Sequence, residues 1–174
     1  MSLRRLIAHP DALEQLHTWA SEDNAPPIGI ITGYRRQVQA IRARLDTDSW
    51  ADGIRNLVRI DTIDSYQGSE NRIIILSLVR NNKADKAGFI DDAPRINVAI
   101  SRAKERLLIL GAASFWGKRN NNSPLGNVYR YISSAIERGH PEYQKIQPEQ
   151  LAIESQAATL KSTTTKQLTE AAHD

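Results

Sequence analysis

The stretch RIIILSLV, residues 72–79, constrains the fold more than any other part of the chain. It is too short for an amphipathic helix, rich in β-branched residues, and apolar at odd and even positions alike. Side chains alternate between the two faces of a strand, so such a run must be covered on both sides. Strands buried on both faces belong to parallel sheets covered by helices. Three further short apolar runs repeat the signal: IGIIT at 28–32, LVRID at 57–61 and RLLILG at 106–111.

Helical periodicity fills the intervals. Leu13, Leu16 and Trp19 share one face, with Pro10 in the first turn. Val38, Ile41 and Leu45 share another, opposite arginines. DAPRINVAISRAKE, residues 92–105, starts with Asp92 as N-cap and reads as a helix. PLGNVYRYISSAIERG makes the last, ended by Gly139. Strands alternating with helices predict an α/β fold with a mostly parallel sheet.

Composition excludes several classes of function. The 174 residues contain no cysteine, so there is no disulfide framework, thiolate metal site or cysteine nucleophile. The four histidines lack ligand spacing, and no metal site is expected. No apolar run approaches the roughly 20 residues of a membrane helix, so no membrane association is expected. The start, MSLRRLIAHPD, lacks the apolar stretch of a signal peptide. Together these predict a cytoplasmic or otherwise intracellular protein. After Gln147 the composition shifts to Ser, Thr, Gln, Ala and Lys. Residues 1–146 are therefore expected to form one domain and 147–174 a flexible or partly helical tail. The net charge is +3, and the tail carries four acids against two lysines, so the positive excess lies in the domain. That favours an anionic partner, or simply an arginine-rich surface.

Ligands of open α/β sheets bind outside the carboxyl ends of strands. Polar clusters do follow the predicted strands: Gly33-Tyr34-Arg35-Arg36-Gln37 after the first, and Thr62 through Glu70 after the second. The predicted helix after the long strand carries Arg95, Asn97, Ser101, Arg102 and Lys104. Thr62 and Ser65 suit contacts to a nucleic-acid backbone, or the closing of a strand. Tyr34, Arg35 and Arg36 stand at a helix start, which attracts phosphate, or are ordinary solvated side chains.

VRIDTIDSYQGSENRIIILSLVRNN followed by GFIDDAPRINVAISRAKERLLILG resembles the C-terminal motor domain of superfamily 1 helicases. The similar group contains the nonsense-mediated-decay RNA helicase and related DNA helicases. Its pattern is V-D-x-[FY]-Q-G-x-E before a buried strand, then R-[LI]-N-V-A-[LI]-[TS]-R-A-[RK]. IGIITGYRRQ resembles the family's strand and T-P-Y-x-x-Q, with Gly33 in place of proline. The resemblance spans about residues 5–138.

The resemblance implies a RecA-like, P-loop NTPase-type three-layer sandwich: the second motor domain, whether or not its first elements lie within this chain. It implies ATP-driven movement along single-stranded DNA or RNA. ATP with Mg2+ would sit between this domain and a first RecA-like domain of the same parent chain. That first domain supplies the phosphate-binding GxxxxGK[ST] loop and the magnesium acid. No Gly-Lys-Ser or Gly-Lys-Thr occurs here, so the chain alone is expected not to hydrolyse ATP. By resemblance Arg102 is the catalytic arginine that reaches the γ-phosphate. Gln67, Gly68, Glu70 and Arg95 are expected on the ATP side, with Glu70 accepting from the ribose. Tyr34, Arg35, Thr62 and Ser65 are expected on the nucleic acid. Lys104 stands where the family often has arginine. The competing reading is a helicase-like module that binds nucleic acid or protein without ATPase activity.

Overall fold

The computed structural model describes residues 10–79, 88, 90–120 and 122–147. The expected tail from 148 on, most of the polar loop at 81–88, and Phe89 lie outside them. The elements run α1 (Pro10–Asp23), β1 (Ile28–Thr32), α2 (Arg35–Thr47), β2 (Val58–Thr62), β3 (Asn71–Ser77), α3 (Ala93–Ile100), β4 (Ala103–Leu110), α4 (Ala113–Gly117) and α5 (Pro124–Glu137). The four strands form one sheet in the order β2-β1-β3-β4, and every pairing is parallel.

Alternation along β1 and β3 divides the core. Ile28, Ile30, Ile73 and Ile75 pack with Leu16 of α1 and with Val38 and Leu45 of α2. Ile31, Ile74 and Leu76 pack on the opposite face with Ile96 and Ala99 of α3, Phe115 and Trp116 of α4 and Leu125 of α5. Helices therefore cover both faces, the three-layer α/β architecture of a RecA-like domain. Phe115 lies in this second core, and Trp19 packs, partly buried, against the first.

Several boundaries differ from the sequence reading, and one short helix was not expected. The helix expected over 92–105 ends at Ile100, and β4 begins at Ala103 rather than at 106. Hydrogen bonding decides this: Asn71 N donates to Arg102 O at 3.1 Å, starting the ladder with β3. The charges of Lys104, Glu105 and Arg106 hid the strand, because charged residues are tolerated where a strand has a neighbour on one side only. The long strand is Asn71–Ser77, one residue earlier than expected at its start and two at its end. β2 is shifted by one residue because Leu57 completes a 3-10 turn. The short helix α4, with Phe115 and Trp116 edge to face at 4.9 Å, carries too few residues to show a period.

Arg72 fastens α1 to the sheet. Its guanidinium meets Asp23 at 2.8 Å, Glu22 at 3.1 Å and Glu105 at 3.3 Å, and lies 5.7 Å from the Trp19 ring. No helix among the described residues is long and apolar enough to cross a membrane.

Candidate functional site

Because all four strands are parallel, their carboxyl ends share one edge. Thr32 pairs with Thr62 on one side and with Ser77 on the other. Thr62 Oγ1 donates to Ser65 Oγ at 3.0 Å, so the two hydroxyls form one polar point at the end of β2. Tyr34 is the N-cap residue of α2, with Arg35 and Arg36 exposed in its first turn. The structure thus brings Tyr34, Arg35, Thr62 and Ser65 to the same carboxyl edge. The sequence reading gave no role to Gln37. Its Oε1 accepts from the Thr32 hydroxyl and its Nε2 donates to Ser77 Oγ at 2.7 Å. It ties β1 to β3 at the point where the strand order reverses. The signal was its place in T-P-Y-x-x-Q; its partner Ser77 is named only by strand pairing.

The rest of the motif goes elsewhere, for a topological reason. A chain leaving β2 at the carboxyl edge must return to the amino edge before it can enter the parallel β3. Only residues 63–70 are available for this, and β1 lies between the two strands. Such crossings usually use a helix and a dozen or more residues. Here the motif itself is the crossing. Asp64–Tyr66 form a 3-10 turn, Tyr66 is fully buried in the core on that face of the sheet, and the chain reaches Asn71 at the amino edge. Gln67, Gly68 and Glu70 therefore do not lie at the carboxyl ends of strands, where the general rule had put them. They lead into the amino end of β3.

The local backbone explains the glycine. Gln67 has φ −58° and ψ 132°, Gly68 has φ +78°, and Ser69 N donates to Tyr66 O at 3.1 Å. This is a type II turn, which needs positive φ at its third residue. A Cβ at Gly68 would meet nothing within 4 Å, so the dihedral rather than a close approach selects glycine. Gln67 and Glu70 are exposed on this turn.

Helix α3 runs back beside the crossing, and an arginine near each end of the helix holds it. Arg95 Nε meets Asp64 Oδ1 at 3.2 Å near the carboxyl edge, and its Nη1 lies 3.6 Å from Asp92. Arg102 lies past the helix end, in the turn before β4. Its Nη1 donates to Ser69 O at 3.5 Å, its Nε to Val98 O at 2.9 Å and its Nη2 to Ser101 Oγ at 2.9 Å. Three of its five N–H donors are thereby engaged. Arg102 and the Gln67–Glu70 turn are neighbours, whereas Arg95 sits with Asp64 at the other end. Lys104 joins the Asp23 cluster at 3.7 Å and Asn97 is exposed. Among the described residues no group of three or more His, Cys, Asp or Glu could hold a metal ion.

Comparison with known proteins identifies the arrangement. A family model described as an AAA domain matches residues 9–114. The chain is 45% identical over 85 residues to the DNA replication ATP-dependent helicase/nuclease of Gallus gallus, covering 48% of this chain and 8% of that protein. It is 42% identical over 126 residues to human NFX1-type zinc finger-containing protein 1, covering 66% and 6%. It is 37% identical over 101 residues to the human RNA helicase Mov10l1, covering 55% and 8%. The chain thus spans less than a tenth of the length of these three relatives. With more than half of its residues inside the matched model, the chain belongs to the AAA-domain family, as a superfamily 1 helicase domain of the group that includes the nonsense-mediated-decay RNA helicase and related DNA helicases.

Proposed function

We propose that the chain is the second RecA-like motor domain, residues 1–146, of an ATP-dependent superfamily 1 helicase. It would close on ATP held by a first RecA-like domain of the same parent and contact the backbone of single-stranded DNA or RNA inside the cell. One observation carries this reading. The crossing from Thr62 to Asn71 links a hydroxyl-rich carboxyl edge to an amino edge where Arg102 holds the Gln67–Glu70 turn through the Ser69 carbonyl.

The residues divide the work accordingly. Arg102 offers its two remaining N–H groups to the γ-phosphate, where a planar guanidinium spreads its stabilisation over several oxygens. Glu70 accepts from the ribose hydroxyls. Gln67 links the state of ATP to the nucleic-acid track, and Gly68 fixes the turn that carries Gln67 and Glu70. Arg95 keeps the far end of the crossing in place through Asp64. Thr62, Ser65, Tyr34 and Arg35 contact phosphates without reading bases. Closure of the domains on ATP presses on the turn at Ser69, and the buried Tyr66 passes that displacement toward Thr62, since packed interiors transmit strain. The Mg2+ that accompanies ATP neutralises phosphate charge and is assigned to acids of the first domain.

The test is ATP hydrolysis by the full-length parent with and without single-stranded DNA or RNA. Hydrolysis stimulated by one of the two polymers is expected. The 174-residue chain alone should show none, because its arginine can only act on a phosphate held by something else. Robust turnover by this chain, lost in Arg102→Ala, would overturn the reading. A parent that binds nucleic acid but never hydrolyses ATP would favour the binding module.

A further inference from the structure

The two ends of the Gln67–Glu70 turn are joined by a buried hydrogen bond. Tyr66 Oη donates to Asn71 Oδ1 at 2.6 Å, and the two residues are 0% and 3% exposed. The Asn71 Nδ2 group donates to the Pro26 carbonyl, which fixes the amide orientation and ties the pair to the start of β1. The backbone of β1 makes room for them. A Cβ at Gly29 would collide with Tyr66 Oη and lie 2.8 Å from Asn71 Oδ1. From the other side the Arg59 guanidinium covers the Tyr66 ring at 4.5 Å and donates to Ser65 O at 3.4 Å.

A buried anchor for the crossing does not need these polar atoms. Phenylalanine would fill the slot without the desolvation that a phenol and an amide incur. What the pair adds is direction. The bond from residue 66 to residue 71 closes the intervening residues into a ring, with the Ser69-to-Tyr66 turn bond inside it. The turn then has one shape before any ligand arrives. Gln67 and Glu70 are its exposed members, and Arg102 reaches the ring between them, at the Ser69 carbonyl.

We propose that Tyr66 and Asn71 are positioning residues: their hydrogen bond clamps the Gln67–Glu70 turn beside Arg102, so that the nucleotide meets a preformed site. The assignment to the nucleotide rests on the function proposed above; the clamp itself does not. Preformed loops gain affinity because less ordering remains to be done on binding.

Tyr66→Phe keeps the ring and removes only the hydroxyl. In the 174-residue chain, amide hydrogen exchange at Ser69, whose N–H bonds to the Tyr66 carbonyl, should accelerate, while Ile74 and Ile75 in β3 keep their protection. In the parent, KM for ATP should rise about three- to tenfold, the worth of one net hydrogen bond, with kcat nearly unchanged. Unchanged exchange at Ser69 would overturn the clamp whatever the parent does. Equal acceleration throughout β3 would also overturn it, since the hydroxyl would then only stabilise the fold. Local acceleration with an unchanged KM would overturn the link to the nucleotide. A parent with no ATPase activity would refute the proposed function, and the exchange result would still decide the clamp.

Discussion

Arg102 shows how far a residue can be read from its neighbours. Its identity stands out in the Ser101-Arg102-Ala103 pattern, yet its place does not, because the helix ends before it and its guanidinium folds back onto Val98 and Ser69. In that position two of its five N–H groups remain to face a phosphate. In the parent, Arg102→Ala should lower kcat by about a thousandfold, as for other arginines that stabilise a transferring phosphoryl group. Arg102→Lys should not rescue it, since an ammonium lacks the planar fork. Glu70→Ala should instead raise KM for ATP more than it lowers kcat, because a ribose contact is similar in ground and transition states. Steady-state kinetics at saturating nucleic acid check both. Near wild-type Arg102→Lys would show that the roles are misassigned. Gln37 marks the opposite limit: its partners Thr32 and Ser77 lie on two strands, and no local pattern names the second.

Among the elements, the start of α3 and the end of α5, where Gly139 takes φ +77°, were legible, and the end of α3 was not. Asp92 accepts from Arg95 N, and Ser123 accepts from Gly126 N at 3.0 Å, each just before a proline-containing first turn. Such side chains satisfy orphan amides locally, which made Asp92 readable as a cap from the sequence, whereas Ser123 was not named there. Ser123 is also buried. Ser123→Ala should therefore destabilise the chain by about 1 kcal/mol, measured by urea unfolding. An unchanged midpoint would mean that Gly126 N finds another acceptor. The end of α3 had no such marker. Ala103-Lys104-Glu105 favours helix by propensity, and the ladder to β3 overrides it.

At the scale of the molecule, the ion cluster around Arg72 is the clearest long-range tie, joining residues of α1, β3 and β4. The hydrogen bond and charge of Arg72 hold the Asp23 carboxyl below its ordinary value of 3.8. A carboxyl whose folded value is lowered stabilises the folded state above the unfolded value. That contribution disappears as the pH falls through the folded value. Asp23→Asn should therefore melt below the wild type at neutral pH, and the gap should close as the pH is taken from 3.8 downward. The cluster is partly exposed, so added salt should also narrow the gap. A gap that persists at low pH would show that the substituted amide is merely packed badly. The tie was invisible in the sequence, where Arg72 opens an apolar run far from Asp23.

Local physics determined much of this protein from its sequence alone. Four apolar runs bounded by helical periods fixed an α/β sheet with helices on both faces, because burial on two sides leaves a strand few other settings. The motif strings located Gln67, Glu70 and Arg102, and the positive φ that type II turns require accounts for Gly68. Tertiary structure alone decided which edge each residue faces. Eight residues joining two parallel strands across a third must cross the sheet. That crossing separates Thr62 and Ser65 from the Gln67–Glu70 turn, and brings the turn's Ser69 carbonyl to Arg102, an arginine from another connection. The slot at Gly29 for Tyr66 and Asn71 was likewise hidden, because its three parts meet only when β1 and β3 pair.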